Sequence, residues 1–180
     1  MLPEVHVFIA TSLDGLIATP DGGLEWLTGL PTIEGEDHGF HGFMAGMDAL
    51  LMGRETFDAI KGFEPWIYTI PVTVLSRSLS AEDLPPALAG RVSVAGGAIR
   101  DVLEQMARDG AQRIYADGGN VISQCLRGGL VSRLTITTVP VVLGEGIALF
   151  QDAGRHAMRL VSSQSWSNGF VQSVWEVQQG

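Results

Sequence analysis

The chain has 180 residues, 46% of them hydrophobic and only 17% charged, which suits a globular protein and excludes a disordered one. Its formal net charge of −9 disfavours nucleic-acid binding as a main task, although a few basic residues and N–H groups that converge locally still suit an anionic cofactor. One cysteine, Cys125, permits no disulfide within the chain, and no stretch is long and apolar enough to span a bilayer, so a soluble cytoplasmic protein is expected.

This length suits one domain, expected over residues 1–180. Residues 4–13 read as a strand, Asp14-Gly15 as a turn, and Leu16-Ile17-Ala18 as a further extended run. Residues 19–32 read as a loop. It carries Trp26 and three leucines, so it is expected to cover something. Residues 36–47 have helical spacing, with Phe40, Phe43, Met44 and Met47 on one face. A buried strand over 49–52 leads directly into Gly53-Arg54-Glu55-Thr56 and a helix through about Ile60. Residues 72–75 form a third buried strand, ending in Ser76-Arg77-Ser78.

Pro85-Pro86 breaks any helix there, and residues 91–94 are strand-like. A helix over 98–108 follows Gly96-Gly97, with Ile99, Val102, Leu103 and Met106 apolar. Residues 113–116 read as a buried strand, Gly118-Gly119 as a turn, and 121–126 as a helix that contains Cys125 as a core residue. Residues 131–142 are a long β-rich run with Pro140 inside it. Residues 158–167 and 170–177 flank Asn168-Gly169 as a hairpin. Strands alternating with helices imply an α/β fold. Its sheet is mostly parallel and twisted, with helices on both faces and an antiparallel C-terminal hairpin.

In such folds ligands bind beyond the carboxyl ends of the strands. Three strand ends carry suitable residues. At Gly118-Gly119 the missing Cβ atoms and the unpaired N–H groups of a helix start admit a diphosphate. Arg54 and Thr56 open a second helix and favour phosphate in the same way. Ser76 and Arg77 offer a hydroxyl and a fork of donors suited to a phosphate monoester, such as the 2′-phosphate of NADP. Three sites on one sheet edge favour one extended ligand with several phosphates. No P-loop lysine pattern, Gly-x-Ser-x-Gly elbow or spaced Gly-x-Gly-x-x-Gly appears. His38 and His41 lie three residues apart without an obvious third ligand, so no metal site is expected.

Five ordered motifs carry a resemblance. They are Val7-Phe8-Ile9-Ala10-Thr11-Ser12-Leu13-Asp14-Gly15-Leu16-Ile17-Ala18, Met52-Gly53-Arg54-Glu55-Thr56-Phe57-Asp58, Val74-Leu75-Ser76-Arg77, Ala116-Asp117-Gly118-Gly119-Asn120-Val121 and Leu143-Gly144-Glu145-Gly146. The set resembles the dihydrofolate reductase-like superfamily, in the branch of the riboflavin-biosynthesis reductase C-terminal domain and its stand-alone relatives. The resemblance implies NADPH as cofactor. Ala10 and Ile17 would line the nicotinamide. Gly53, Arg54 and Thr56 would hold phosphate. Ser76 and Arg77 would meet the 2′-phosphate, and Gly118, Gly119, Asn120 and Val121 the pyrophosphate. Trp26, Asp37 and His41 are the implied substrate contacts, with Asp37 also the candidate catalytic acid. Leu16 stands where riboflavin reductases usually carry lysine, and their deaminase zinc pattern does not occur.

The expected activity is NADPH-dependent reduction of a small heterocyclic or related conjugated substrate. A dihydrofolate reductase and a riboflavin-pathway pyrimidine reductase are alternatives of the same chemistry. A non-catalytic NADPH sensor is an alternative of another class. The C-terminal hairpin offers Trp166, Phe170 and Trp175 from a sheet edge, and relatives are commonly homodimers, so a twofold dimer is expected.

Overall fold

The computed structural model describes residues 1–178. The expected domain runs to residue 180, so its last two residues lie outside the described ones.

An eight-stranded sheet organises the chain. From one edge to the other its strands are β5 (Val92–Ala95), β4 (Val72–Leu75), β3 (Ala49–Gly53), β6 (Arg113–Asp117), β1 (Glu4–Thr11), β7 (Val131–Thr138), β10 (Val171–Val177) and β9 (Met158–Ser165). Strands β5 to β7 run parallel, and β10 and β9 are antiparallel. This is the mostly parallel sheet with a C-terminal hairpin that the alternation of elements predicts. The register aligns the carboxyl ends: Met52 lies opposite Asp117, Gly53 opposite Leu75, and Leu75 opposite Ala95.

The central strands are apolar on both faces because both faces are covered. Leu50, Leu51 and Met52 expose none of their surface. Successive side chains point to opposite faces, which divides the core in two. Ile114 and Ala116 of β6 join the first cluster, with Leu103 of α4 (Ile99–Arg108) and Ile122 of α5 (Gly119–Arg127). Tyr115 joins the second, with Phe57 of α3 (Arg54–Ile60) and with Phe40 and Phe43 of α2 (Phe40–Ala45). Phe8 packs at 5.5 Å from Phe40 and 5.0 Å from Phe43, and Phe43 meets Tyr115 edge-on at 5.1 Å.

Several boundaries differ from expectation. The helix predicted over 36–47 is only α2. His38 (φ +55°) and Gly39 (φ +85°) leave the helical region, and the helix starts after them. The extended run after the Asp14-Gly15 turn does not continue β1. It is β2 (Leu16–Ala18), which pairs with β8 (Ile147–Ala148) in a separate two-stranded sheet. The loop over 19–32 contains a one-turn helix, α1 (Glu25–Thr28). The long run after residue 131 stops at Thr138, ahead of Pro140.

The C-terminal hairpin closes at Gly169 (φ +86°), where Trp166 N–H donates to the Phe170 carbonyl at 3.0 Å. Two of its aromatics are not free for a partner. The His38 ring lies 4.7 Å from Trp166 and stacks on Phe170 at 4.9 Å. Trp175 donates its indole N–H to Ser173 at 2.7 Å. The uncovered apolar residues of the hairpin are instead Leu160, Val161 and Val171.

Gln172 ties the hairpin to the loop before α2. Its buried amide donates to the His38 carbonyl and to Thr137 Oγ1, both at 2.9 Å. Gln172→Ala leaves both acceptors without that donor. It is expected to cost about 1–3 kcal/mol, the penalty for unpaired buried polar groups. A lower urea midpoint with faster proteolysis within residues 31–38 checks this; an unchanged midpoint rules out the tie.

Candidate functional site

A cavity of about 600 Å³ opens at the carboxyl edge of the parallel strands. It brings together the ends of β3, β4 and β6 and the starts of α3 and α5. Gly53, Arg54, Thr56, Ser76, Arg77, Gly118, Gly119, Asn120 and Val121 all line it, so the three predicted anion-binding stretches share one space.

The glycine pair makes that convergence possible. Gly118 has φ +87°, and a Cβ on it would lie 2.3 Å from Thr56 Oγ1. A Cβ on Gly119 would lie 2.8 Å from Ile17 Cδ1. A side chain at Gly118 would be strained at this φ and would need the Thr56 side chain to move, and one at Gly119 would need the end of the Ile17 side chain to move. The first hydrogen bond of α5 runs from Ile122 N–H to the Gly118 carbonyl at 3.0 Å. The N–H groups of Gly119, Asn120 and Val121 precede it and have no partner within the helix. This edge therefore presents donors to an anion.

The cations differ in freedom. Arg54 is held by Asp58 at 2.5 Å, and Lys61 shares that carboxylate at 2.7 Å. Arg77 is exposed and makes no ion pair among the described residues. Ser76 Oγ accepts the Leu79 N–H at 3.0 Å, which shapes the turn that presents Arg77. Asn120 Oδ1 accepts from Gln124, another lining residue, at 2.5 Å.

The position of Ile17 depends on Asp14. Its carboxylate accepts the Ser12 hydroxyl at 2.7 Å and the N–H groups of Gly144 and Leu143 at 2.8 and 3.1 Å. These bonds, the Ser12 hydroxyl first, hold its pKa down to about 2. They fasten the turn after β1 to the loop before β8. The pairing of β2 with β8 then holds Ile17 against the start of α5. Ala10, half-buried near the end of β1, lies opposite Thr137.

The implied substrate residues lie apart from this cavity, and none of Trp26, Asp37 and His41 lines it. Trp26 sits in α1 with its indole Nε1 buried and unpartnered. Asp37 accepts the Gly39 and His41 N–H groups at 2.9 and 2.7 Å, which caps α2. It also meets His41 Nδ1 at 2.5 Å. The bond from the His41 N–H is the largest cause that lowers its pKa, to about 2. His38 and His41 have no third ligand beside them, and no group of three or more His, Cys, Asp or Glu that could hold a metal occurs among the described residues.

A second acid went unassigned in the sequence. Asp117 ends β6 on the face that carries Tyr115 and immediately precedes the glycine pair. It keeps some accessible surface, yet burial pushes its pKa up to about 6. The Gly118 N–H, at 2.9 Å, and the Tyr115 and Tyr68 hydroxyls pull the other way. The same burial, with Asp117 beside them, raises both phenols above their ordinary value. The motif contained this residue, but only burial distinguishes it from an ordinary surface aspartate.

The sequence matches the RibD C-terminal domain family over residues 3–66 and 68–172. A structure from Shewanella sp. PV-4, provisionally named a riboflavin biosynthesis protein, is 32% identical with a TM-score of 0.90. The match covers 99% of this chain and 100% of that one. The uncharacterized protein YwjB of Bacillus subtilis is 29% identical over 147 residues, 81% of this chain and 82% of YwjB. The Thermotoga maritima diaminohydroxyphosphoribosylaminopyrimidine deaminase/5-amino-6-(5-phosphoribosylamino)uracil reductase shares the fold, with a TM-score of 0.75 at 14% identity. That match covers 98% of this chain and 57% of that one. The chain belongs to the RibD C-terminal domain family and has its dihydrofolate reductase-like fold.

The raised pKa of Asp117 makes stability depend on pH. The folded state holds this proton more tightly than the unfolded state, whose ordinary value is 3.8. Its contribution is therefore complete below about pH 4 and is lost as pH rises through about 6. Asp117→Asn is expected to remove this fall and to be the more stable protein at pH 7. Urea unfolding of both proteins between pH 4 and 7 checks it; parallel curves would refute the shift.

Proposed function

We propose that this member of the RibD C-terminal domain family is an NADPH-dependent reductase of a small heterocyclic or related conjugated substrate. The observation that carries the reading is the cavity at the sheet edge, where exposed Arg77 and the open N–H groups of α5 line one space. Its size and donors suit a dinucleotide. Gly118, Gly119, Asn120 and Val121 hold the pyrophosphate, assisted by Gly53, Arg54 and Thr56. Ser76 and Arg77 take the 2′-phosphate, since a guanidinium makes paired bonds to phosphate. Ala10 and Ile17 line the nicotinamide end and exclude water from it. NADPH, when bound there, supplies the hydride.

Trp26, Asp37 and His41 orient the substrate. A carboxylate with a pKa of about 2 stays ionised at neutral pH, so Asp37 supports protonation through water and does not carry the proton itself. Asp117, with its pKa of about 6, is the acid that can hold a proton near neutral pH beside the glycine pair. The reading takes the chain as a single reductase domain. It also takes the exposed strand β9, with Leu160 and Val161, as the contact of a twofold dimer.

Arg77→Ala is expected to cost roughly 1.5–3 kcal/mol of NADPH binding, the range for hydrogen bonds to charged groups, and to leave NADH binding almost unchanged. Titration of both cofactors against both proteins tests this, and an equal loss for the two removes Arg77 from cofactor selection. Asp37→Asn is expected to keep NADPH affinity and to lower turnover of an identified substrate by about 10²-fold, the cost of a misplaced substrate. Unchanged turnover would leave Asp37 as a helix cap alone. Light scattering at micromolar concentration is expected to give the mass of a dimer; a monomer mass refutes the assembly.

A further inference from the structure

Each strand at the hairpin end of the sheet carries one charged residue: Arg133 in β7, Arg159 in β9 and Glu176 in β10. All three gather on one face, where Glu176 pairs with Arg133 at 2.7 Å and with Arg159. Gln172 lies on the same side of β10 as Glu176 and bonds to the loop before α2, so this is the face toward α2. The opposite face of β7, β10 and β9 is left without a charged side chain.

On that opposite face α4 and α5 pack over β3, β6 and β1, and the cover gives way at β7 to a groove of about 350 Å³. Leu134, Ile136, Met158 and Trp175 line it from the sheet, Leu13 and Phe150 from the loops beside it, and none of its lining residues carries a charge. Leu13 is 66% exposed and Phe150 49%. The apolar surface continues past the groove. Leu160, paired with Trp175, and Val171, on the Ser173 side of β10, expose 48% and 47%. An antiparallel sheet that faces water ordinarily turns polar residues outward; this one presents apolar residues.

An exposed apolar patch of this kind marks a contact. A small molecule would fill the groove and leave Leu160 and Val171 uncovered. A partner of different sequence would find no charge on this face to select it. A second copy meets both conditions. Each copy carries a formal net charge of −9, so two copies repel one another except across a neutral surface. Homodimer interfaces are also the more apolar ones.

We propose that two copies of this chain pack sheet face against sheet face through this groove, about a twofold axis. The proposal deepens the twofold assembly read above, since the contact is the sheet face and not the edge strand β9 alone. Ser12 and Gly15 wall the groove, and Asp14 between them holds the turn that positions Ile17, so the partner lies against that turn.

The test compares variants of the full chain by light scattering at micromolar concentration, with circular dichroism to establish that each is folded. Leu13→Arg and Phe150→Arg each place two cations in a twofold contact, and neither residue belongs to β9. Both are expected to give half the wild-type mass. Phe63→Arg, at a residue after α3 that is 52% exposed, is expected to keep the dimer. A dimer with either folded face variant overturns the proposal and leaves a twofold assembly through another surface. A monomeric wild-type protein refutes that assembly as well. Leu13→Cys keeps the face neutral and serves where the arginine variants do not fold. Cys125 is fully buried, so the new thiol is the accessible one. Its labelling by a maleimide is expected to slow as protein concentration rises and the dimer forms; a rate independent of concentration overturns the proposal.

Discussion

The arrangement depends on how closely three backbone segments approach one another at Gly118 and Gly119. The start of α3, the start of α5 and the side chain of Ile17 in β2 pack closely there, against two residues without a Cβ. Thr56 Oγ1 and Ile17 Cδ1 occupy the space that two Cβ atoms would take. The same lack of Cβ atoms leaves the first N–H groups of α5 open to the cavity. Close packing and open N–H groups thus draw on the same two residues.

Asp14 extends that junction to a distant part of the chain. Residues 12–14 and 143–144 are far apart in sequence, yet one carboxylate gathers a hydroxyl and two N–H groups from them. Such a carboxylate stays charged at every working pH and holds its partners in one geometry. The short pairing of β2 with β8 is marginal alone, since an isolated two-stranded ribbon has little stability in water. Asp14 on one flank and the contact of Ile17 with Gly119 on the other hold it in place.

The sheet also separates two chemistries. On its carboxyl edge the donors are basic side chains and free N–H groups. On its aromatic face the polar groups are phenols and the acid Asp117. An acidic protein can bind an anion because the field at a site is set by the few groups that face it, not by net charge. Asp117 lies at the boundary. Burial disfavours its ionised form, and the Gly118 N–H restores part of the loss. Its carboxyl consequently titrates close to neutral pH, unlike Asp14 and Asp37, whose bonds all favour the charged form.

Local patterns determined much of this protein. Apolar runs such as residues 49–52 predict buried parallel strands, and the glycine pair, Arg54 and Ser76-Arg77 mark the strand ends that line the cavity. The Asn168-Gly169 hairpin is legible because its turn chemistry is local. The order of the strands is not local, nor is the length of α2, which positive φ angles at His38 and Gly39 cut short. The packing of Trp166 and Phe170 against His38 joins residues more than a hundred positions apart, and no spacing rule predicts it. Asp37 and Asp117 make the contrast clearest. By sequence both are aspartates near glycines. Only the tertiary structure surrounds one with N–H donors and the other with desolvating rings, and a carboxyl's pKa follows from those surroundings.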